Sequence, residues 1–202
     1  MEIMTEHYYS HQPQVESREE LIEVTLRGKP FRFYTDRGVF SKKGIDFGTR
    51  LLVESLEISP VAKVIDLGCG YGPIGIALAK ESAGRQVVLV DVNERALHLA
   101  QKNAVLNQVE QVQIVRSDLF TEIKEQDFDY VITNPPIRAG KKVIHRLFQE
   151  SQAHLKPGGE LWLVIQKKQG APSAFEKLKE LFPEVEVVTK KKGYRIFRAK
   201  KR

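Results

Sequence analysis

Two short stretches of the chain carry groups that could do chemistry. The first is Asp66-Leu67-Gly68-Cys69-Gly70-Tyr71-Gly72, where an apolar run ends in an acid and breaks into alternating glycines. Backbone that must approach a ligand closely, often at positive φ, needs glycine. A helix starting at Pro73 would present free N–H groups behind it. The second is Asn134-Pro135-Pro136-Ile137. Its carboxamide precedes two residues that lack an N–H, so the turn is rich in acceptors and suited to an amino group. Its carbonyls are expected to face no competing N–H.

Gly70, Gly72 and Gly75 spell the G-x-G-x-x-G of dinucleotide-binding folds, and Asp91 follows at the spacing of a ribose-binding acid. Asp66 argues against that ligand, because a carboxylate beside a pyrophosphate would be repelled. An ammonium and a sulfonium would be tolerated or favoured. The string Asp-x-Gly-x-Gly-x-Gly resembles motif I of the class I S-adenosylmethionine-dependent methyltransferases. Asp91 would accept two ribose hydroxyls through charge-assisted bonds, and Asn93 would cap the helix after it.

Asn134, Pro135 and Pro136 resemble the Asn-Pro-Pro-[aromatic] motif of methyltransferases acting on exocyclic amines of bases or on glutamine amides. Ile137 stands where an aromatic usually stacks on the substrate. Val39-Phe40-Ser41 and the helix start Asp46-Phe47-Gly48 look like the segment that closes over the cofactor in ribosomal RNA guanine-N2 methyltransferases. With Asn134 to Lys141 included, the chain most resembles the small-subunit members of that family, in a single-unit form. The resemblance implies S-adenosylmethionine as cofactor. It places Phe40, Ser41, Gly48, Asp66, Gly68, Gly70 and Gly72 around it, together with Asp91, Val92, Asp118, Leu119 and Asn134. Asp118 would accept from the adenine amino group. Catalysis would fall to Asn134, Pro135, Pro136 and Ile137.

Methyl transfer from a sulfonium is an in-line displacement, so alignment is the protein's main task. If the Asn134 oxygen and the Pro135 carbonyl accept both N–H bonds of a base amine, its lone pair turns to the methyl and the developing charge is stabilised. No nucleophilic side chain or metal is required. The sequence has no Ser/His/Asp set, no paired metal ligands and no Walker glycine loop. A base must leave its stack to reach such a pocket, which favours single-stranded or looped RNA. Arg138, Lys141 and Lys142 beside the pocket, with Lys190, Lys191 and Lys192, are the candidate phosphate contacts. Ribosomal RNA or a small ribosomal subunit is the implied partner. The rivals are a methyltransferase for glutamine amides or DNA adenine N6, and a non-catalytic RNA-binding protein that keeps the fold.

Around these stretches the pattern alternates strand and helix. Val61 to Leu67, Gln86 to Val90, Gln111 to Val115, Asp129 to Thr133 and Glu160 to Gln166 read as strands. A helix carrying Val143, Ile144, Leu147, Phe148 and Leu155 inward should stop at Pro157-Gly158-Gly159. Another starts near Pro172 or Ser173, and Val185 to Thr189 and Tyr194 to Arg198 form a closing antiparallel hairpin. Alternation at Ile22, Val24 and Leu26, the turn Arg27 to Pro30, then Phe31 and Phe33 predict an N-terminal β-hairpin. The fold predicted is α/β: a doubly wound, mostly parallel seven-stranded sheet with an antiparallel C-terminal hairpin strand. One domain is expected over 1–202, with a strap and hairpin over 1–35 and a cofactor-binding core over 36–202.

The 202 residues, 42% of them hydrophobic, suffice for one core. No apolar leader or membrane-length apolar run is present, so the sequence predicts a cytoplasmic protein without membrane contact. His7 and His11, near Tyr8 and Tyr9, are too few for a metal site. Cys69 reads as a small side chain that fits its turn. The net charge of +6 is concentrated in Lys190 to Arg202, which holds eight Lys or Arg and no acid. That run predicts one basic patch, either solubilising or facing a polyanion.

Overall fold

The computed structural model describes residues 16–41 and 44–202. His7, Tyr8, Tyr9 and His11 of the predicted strap, and Lys42 and Lys43, lie outside the described residues. A seven-stranded sheet holds β3 (Lys63–Leu67), β4 (Gln86–Asp91), β5 (Val112–Arg116), β6 (Phe128–Thr133), β7 (Leu155–Gln166), β8 (Glu184–Lys191) and β9 (Tyr194–Lys200) in the order β5-β4-β3-β6-β7-β9-β8. The first five in that order run parallel, and β9 is antiparallel to both β7 and β8. The doubly wound sheet read from the sequence is the observed one.

Side chains alternate across the sheet, as a period of two requires. Val64, Val87 and Leu89 face one layer with α1 (Phe47–Ser55), α2 (Pro73–Glu81) and α3 (Glu94–Leu106). Ile65, Leu67, Val88 and Val90 face the other, under α4 (Lys141–His154) and α5 (Ala171–Leu181).

The N-terminal hairpin of β1 (Glu20–Leu26) and β2 (Lys29–Thr35) forms as predicted and is built into the first layer, where Leu26, Phe31 and Phe33 are buried. Two asparagines one turn apart, in the last turn of α3 and at its C-cap, take the place of a neighbouring strand. Asn103 pairs with the backbone N–H and C=O of Tyr34 at 2.7 and 2.9 Å, and Asn107 does the same for Arg32 at 3.2 and 2.7 Å. The polar edge of β2 is thereby satisfied without a further strand.

Pro157-Gly158-Gly159 does not end a helix as predicted. Helix α4 stops at His154, and the three residues lie inside β7, whose Leu155 pairs with Phe128 across a bulge. A Cβ on Gly159 would lie 2.9 Å from the Phe128 carbonyl oxygen, so glycine lets the bulged strands close. Leu155, predicted on the helix, is a buried strand residue.

The predicted single basic patch is divided. Lys190 to Lys192 lie where β8 turns into β9, and Lys200 to Arg202 lie at the far end of β9, about 20 Å away at the usual rise per strand residue. Between them Arg198 is paired with Glu186 and packs on the Trp162 ring. No helix of the described residues is long and apolar enough to cross a membrane.

Candidate active site

Because β3, β4, β5 and β6 run parallel, the residues after their C-terminal ends gather at one edge, where such sheets open a crevice. A cavity of about 390 Å³ lies there. The turn after β3 forms its floor. Gly68 and Cys69 donate their N–H groups to the Val90 carbonyl at 2.8 and 2.9 Å, and Gly70 donates to Asp91 Oδ2 at 2.8 Å. Gly68 and Gly70 have φ of +72° and +57°, and no atom lies within 4 Å of where a Cβ would stand. That side opens on the cavity. Gly75, one turn into α2, serves packing, since a Cβ there would sit 2.0 Å from Leu89 Cδ2. Gly72 caps α2 and does not reach the cavity wall.

Asp66 lies behind that floor, fully buried and outside the cavity wall. Its Oδ2 accepts the Gly75 N–H at 2.9 Å, while Oδ1 has no partner. Burial pushes its carboxyl up to about 7; the Gly75 bond opposes this and Asp91 adds to it. Asp66 therefore ties α2 to β3 and reaches the cavity only through its field. Asp91 is in the wall. Its oxygens accept the N–H groups of Gly70 and Asn93 at 2.8 and 2.9 Å, and each keeps lone-pair capacity for a further donor. Burial raises its carboxyl above the ordinary range, against the backbone bonds it accepts.

Asn93 caps α3 as read from the sequence, and its Nδ2 also donates to the Gly38 carbonyl at 3.0 Å. Arg95 donates to the Arg37 carbonyl at 2.7 Å. These bonds lay the loop carrying Val39, Phe40 and Ser41 across the cavity rim. Ser41 Oγ hydrogen-bonds the Gly44 carbonyl, closing the loop on itself. Val92, Asp118 and Leu119 complete the side beyond β4 and β5. Arg146 holds Asp118 Oδ2 at 2.8 Å, and Leu119 adopts a positive φ of +52°.

At the opposite end stands Asn134, brought level with the glycine turn by the Thr133 hydroxyl, which donates to the Leu67 carbonyl at 2.7 Å. Asn134 Nδ2 donates to Thr49 Oγ1 at 2.9 Å and lies 3.5 Å from Asp46 Oδ2. Asp46 caps α1 with its other oxygen, which accepts from Gly48 and Thr49 at 2.9 and 3.2 Å. An ionised carboxylate only accepts, so the amide must present its NH2 to this pair. Asn134 Oδ1, with no partner among the described residues, is left for a ligand. Thr49 and the Asp46 contact escaped the sequence reading. Their signal was the cap Asp46-x-Gly48-Thr49, whose distance from Asn134 in sequence hid the contact.

The Asn-Pro-Pro turn differs from expectation in two respects. Its carbonyls are not free of competition: Ile137 donates to the Pro135 carbonyl at 2.8 Å, and Ala139 to that of Pro136 at 2.8 Å. Each oxygen keeps one lone pair for another donor. Pro136 lines the cavity, whereas Pro135 and Ile137 do not. Ile137 turns into a separate hollow of about 60 Å³ with Ile144, His145 and Ile165. Gly48 is likewise behind the wall, where a Cβ would meet the Tyr194 ring at 2.7 Å.

The candidate phosphate contacts fall on one side. Arg138 is in the short turn Ile137–Ala139, and Lys141 and Lys142 open α4. Lys190 and Lys191 end β8, and Lys192 sits 5.0 Å over the Phe47 ring, one residue from Asp46.

With this geometry in view, the chain matches the family described as methyltransferase small domain over residues 30–198. It belongs to that family. S-adenosylmethionine is the family's cofactor. The chain is 56% identical over 200 residues to YbxB of Bacillus subtilis, covering 98% of this chain and all of that one. It is 34% identical over 171 residues to ribosomal RNA small subunit methyltransferase C of Haemophilus influenzae, covering 83% of this chain and 50% of that protein. Among solved structures, the Thermus thermophilus 16S rRNA N2-guanine methyltransferase RsmC, in complex with AdoMet and guanosine, superposes with a TM-score of 0.82 at 28% identity. The match covers 94% of this chain and 52% of that one. The chain thus spans about half the length of the RNA methyltransferases it resembles.

Proposed function

We propose that the protein is an S-adenosylmethionine-dependent methyltransferase that modifies the exocyclic amino group of a base in RNA, with guanine N2 of small-subunit ribosomal RNA as the acceptor. The observation that carries this reading is the polarity of Asn134. Its NH2 is committed to Thr49 and Asp46, so a carboxamide oxygen with no other partner faces the cavity end next to the double proline. An acceptor held that way selects an N–H donor. The likeness to RsmC, solved with AdoMet and guanosine, supports guanosine as the nucleoside.

The residues fit the cofactor. Gly68 and Gly70 leave an open cradle, Asp91 has acceptor capacity for the ribose hydroxyls, and Asp118 and Leu119 stand where the adenine edge would lie. The Asp91 carboxylate, when ionised, suits a cationic ligand and opposes a pyrophosphate. When bound, S-adenosylmethionine supplies an electrophilic methyl on sulfur. The protein's own part is acceptance and alignment. Asn134 Oδ1 takes one N–H of the amine, and the remaining lone pair of the Pro135 or Pro136 carbonyl takes the other. The nitrogen lone pair is then turned out of conjugation, and the charge developing on nitrogen meets preorganised acceptors.

The test is methylation of small ribosomal subunits stripped of the modification, with labelled cofactor and nucleoside mapping. Label in N2-methylguanosine is expected, and Asn134→Ala should abolish it while cofactor affinity stays within a few-fold. Label in glutamine of a protein, in DNA adenine, or undiminished in Asn134→Ala overturns the reading.

A further inference from the structure

We infer that the target RNA is held as a single strand along a lysine track crossing the sheet edge made by the C-terminal ends of β6, β7 and β8 and the N-terminal end of β9, and that Lys167 and Lys168 form its centre. The inference rests on the reading of the substrate as RNA and names how it is gripped.

Five lysines elsewhere have a carboxylate: Lys63 has Asp127, Lys102 has Glu19, Lys156 has Asp129, Lys177 has Glu180 and Lys179 has Glu176. Lys141, Lys167, Lys168, Lys190 and Lys192 are exposed and have no carboxylate within salt-bridge distance among the described residues. Their places in the sheet make them a row. Lys141 follows β6, Lys167 and Lys168 form the turn after β7, and Lys190 and Lys192 flank the β8–β9 turn. The Lys167 N–H donates to the Gly193 carbonyl at 2.7 Å, fastening the middle of the row to the hairpin tip. The tip in turn leans on Phe47 through Lys192 and Tyr194, next to Asp46 and Asn134.

Adjacent strands are spaced by about 4.8 Å, so three steps from β6 to β8 give a row of about 14 Å, a few nucleotides of extended chain. The row starts beside Asn134 and leads away from the side carrying Asp91 and Asp118. A strand lying on it would leave the cofactor end clear and deliver one base into the cavity. Sequence reading grouped Lys190 with Arg202 by proximity along the chain. The sheet groups Lys190 with Lys167 instead.

The test compares two double charge reversals of equal net charge. Lys167→Glu with Lys168→Glu alters the centre of the track, and Lys200→Glu with Arg202→Glu alters the opposite edge. Binding of a fluorescent single-stranded RNA oligonucleotide is read by anisotropy across a salt series, and cofactor titration confirms that each variant is folded. The first pair should weaken binding about tenfold or more and lower the logarithmic salt slope by about 1.4, for two lost phosphate contacts. The second should change affinity less than about twofold. The milder Lys167→Gln with Lys168→Gln should fall between the wild type and the first pair. Equal losses in both reversals would reduce the effect to net charge and overturn the track, as would undiminished binding by the first pair. A duplex of the same sequence binding as tightly, or polyglutamate competing as well as RNA, also overturns it. These outcomes stand apart from the proposed function. If the track fails while guanine is still methylated, only the grip is wrong; RNA that binds along the track and is never methylated refutes the acceptor assignment instead.

Discussion

Thr49→Val isolates the contact that sets the polarity of Asn134. Thr49 is 4% exposed, and valine keeps its shape while removing the acceptor 2.9 Å from Asn134 Nδ2. The amide is left with its 3.5 Å approach to Asp46 Oδ2, too long for a strong bond. Leaving a buried amide donor short of a partner costs about 1 to 3 kcal/mol, an upper range for half-buried Asn134. The side chain recovers part of that by rotating to another acceptor, and rotation takes Oδ1 out of line with the amine. If the whole cost falls on the productive rotamer, kcat drops by about 5- to 160-fold. The assay is single-turnover methylation of stripped small subunits with labelled cofactor. Calorimetry should show unchanged cofactor affinity, because the groups at the Asp91 end are untouched. Thr49→Ser restores an acceptor and should return kcat to within a few-fold of wild type. A Thr49→Val enzyme at full kcat refutes the reasoning, and so does a serine variant as slow as the valine one.

Asp66 gives a prediction in pH. Burial, the largest influence, raises its carboxyl from 3.8 to about 7 in the folded state, so the folded chain keeps a proton that the unfolded chain releases. The carboxylate therefore removes stability progressively as pH rises from about 4 to about 7, with a ceiling of about 4 kcal/mol above that range. Asp66→Asn keeps an acceptor for the Gly75 N–H and cannot ionise. Its melting temperature relative to wild type should climb across that window and level off above it; a pH-independent gap would show that Asp66 does not titrate there. Asp91→Ala removes the acceptors of the Gly70 and Asn93 N–H groups along with any ribose contact. Cofactor affinity should fall about a hundredfold or more by calorimetry, and unchanged affinity would remove Asp91 from the site.

What the sequence determined is local. Alternation and apolar runs placed nearly every strand, because a half-buried or fully buried strand must show a period of two or none. The glycine turn, the acid ending β4 and the Asn-Pro-Pro turn were legible because backbone chemistry confines those residue types to such positions. The misreadings share one cause. Pro157-Gly158-Gly159 looked like a helix stop until pairing with Phe128 made it a bulged strand, and Lys190 to Arg202 looked like one patch until the length of β9 carried its ends apart. Asp66 looked like a cavity residue, and only the pleat of β3 decided that its carboxyl points beneath the floor. Likewise, the contact of Thr49 and Asp46 with Asn134 exists because α1 packs on β7 and β9, beside the end of β6. A sequence records which groups are neighbours along the chain. Which acceptor an amide meets across 85 positions, and which lysines line up across four strands, is decided by strand order and layer packing. Those follow from burying the whole set of apolar faces at once, which no single segment can encode.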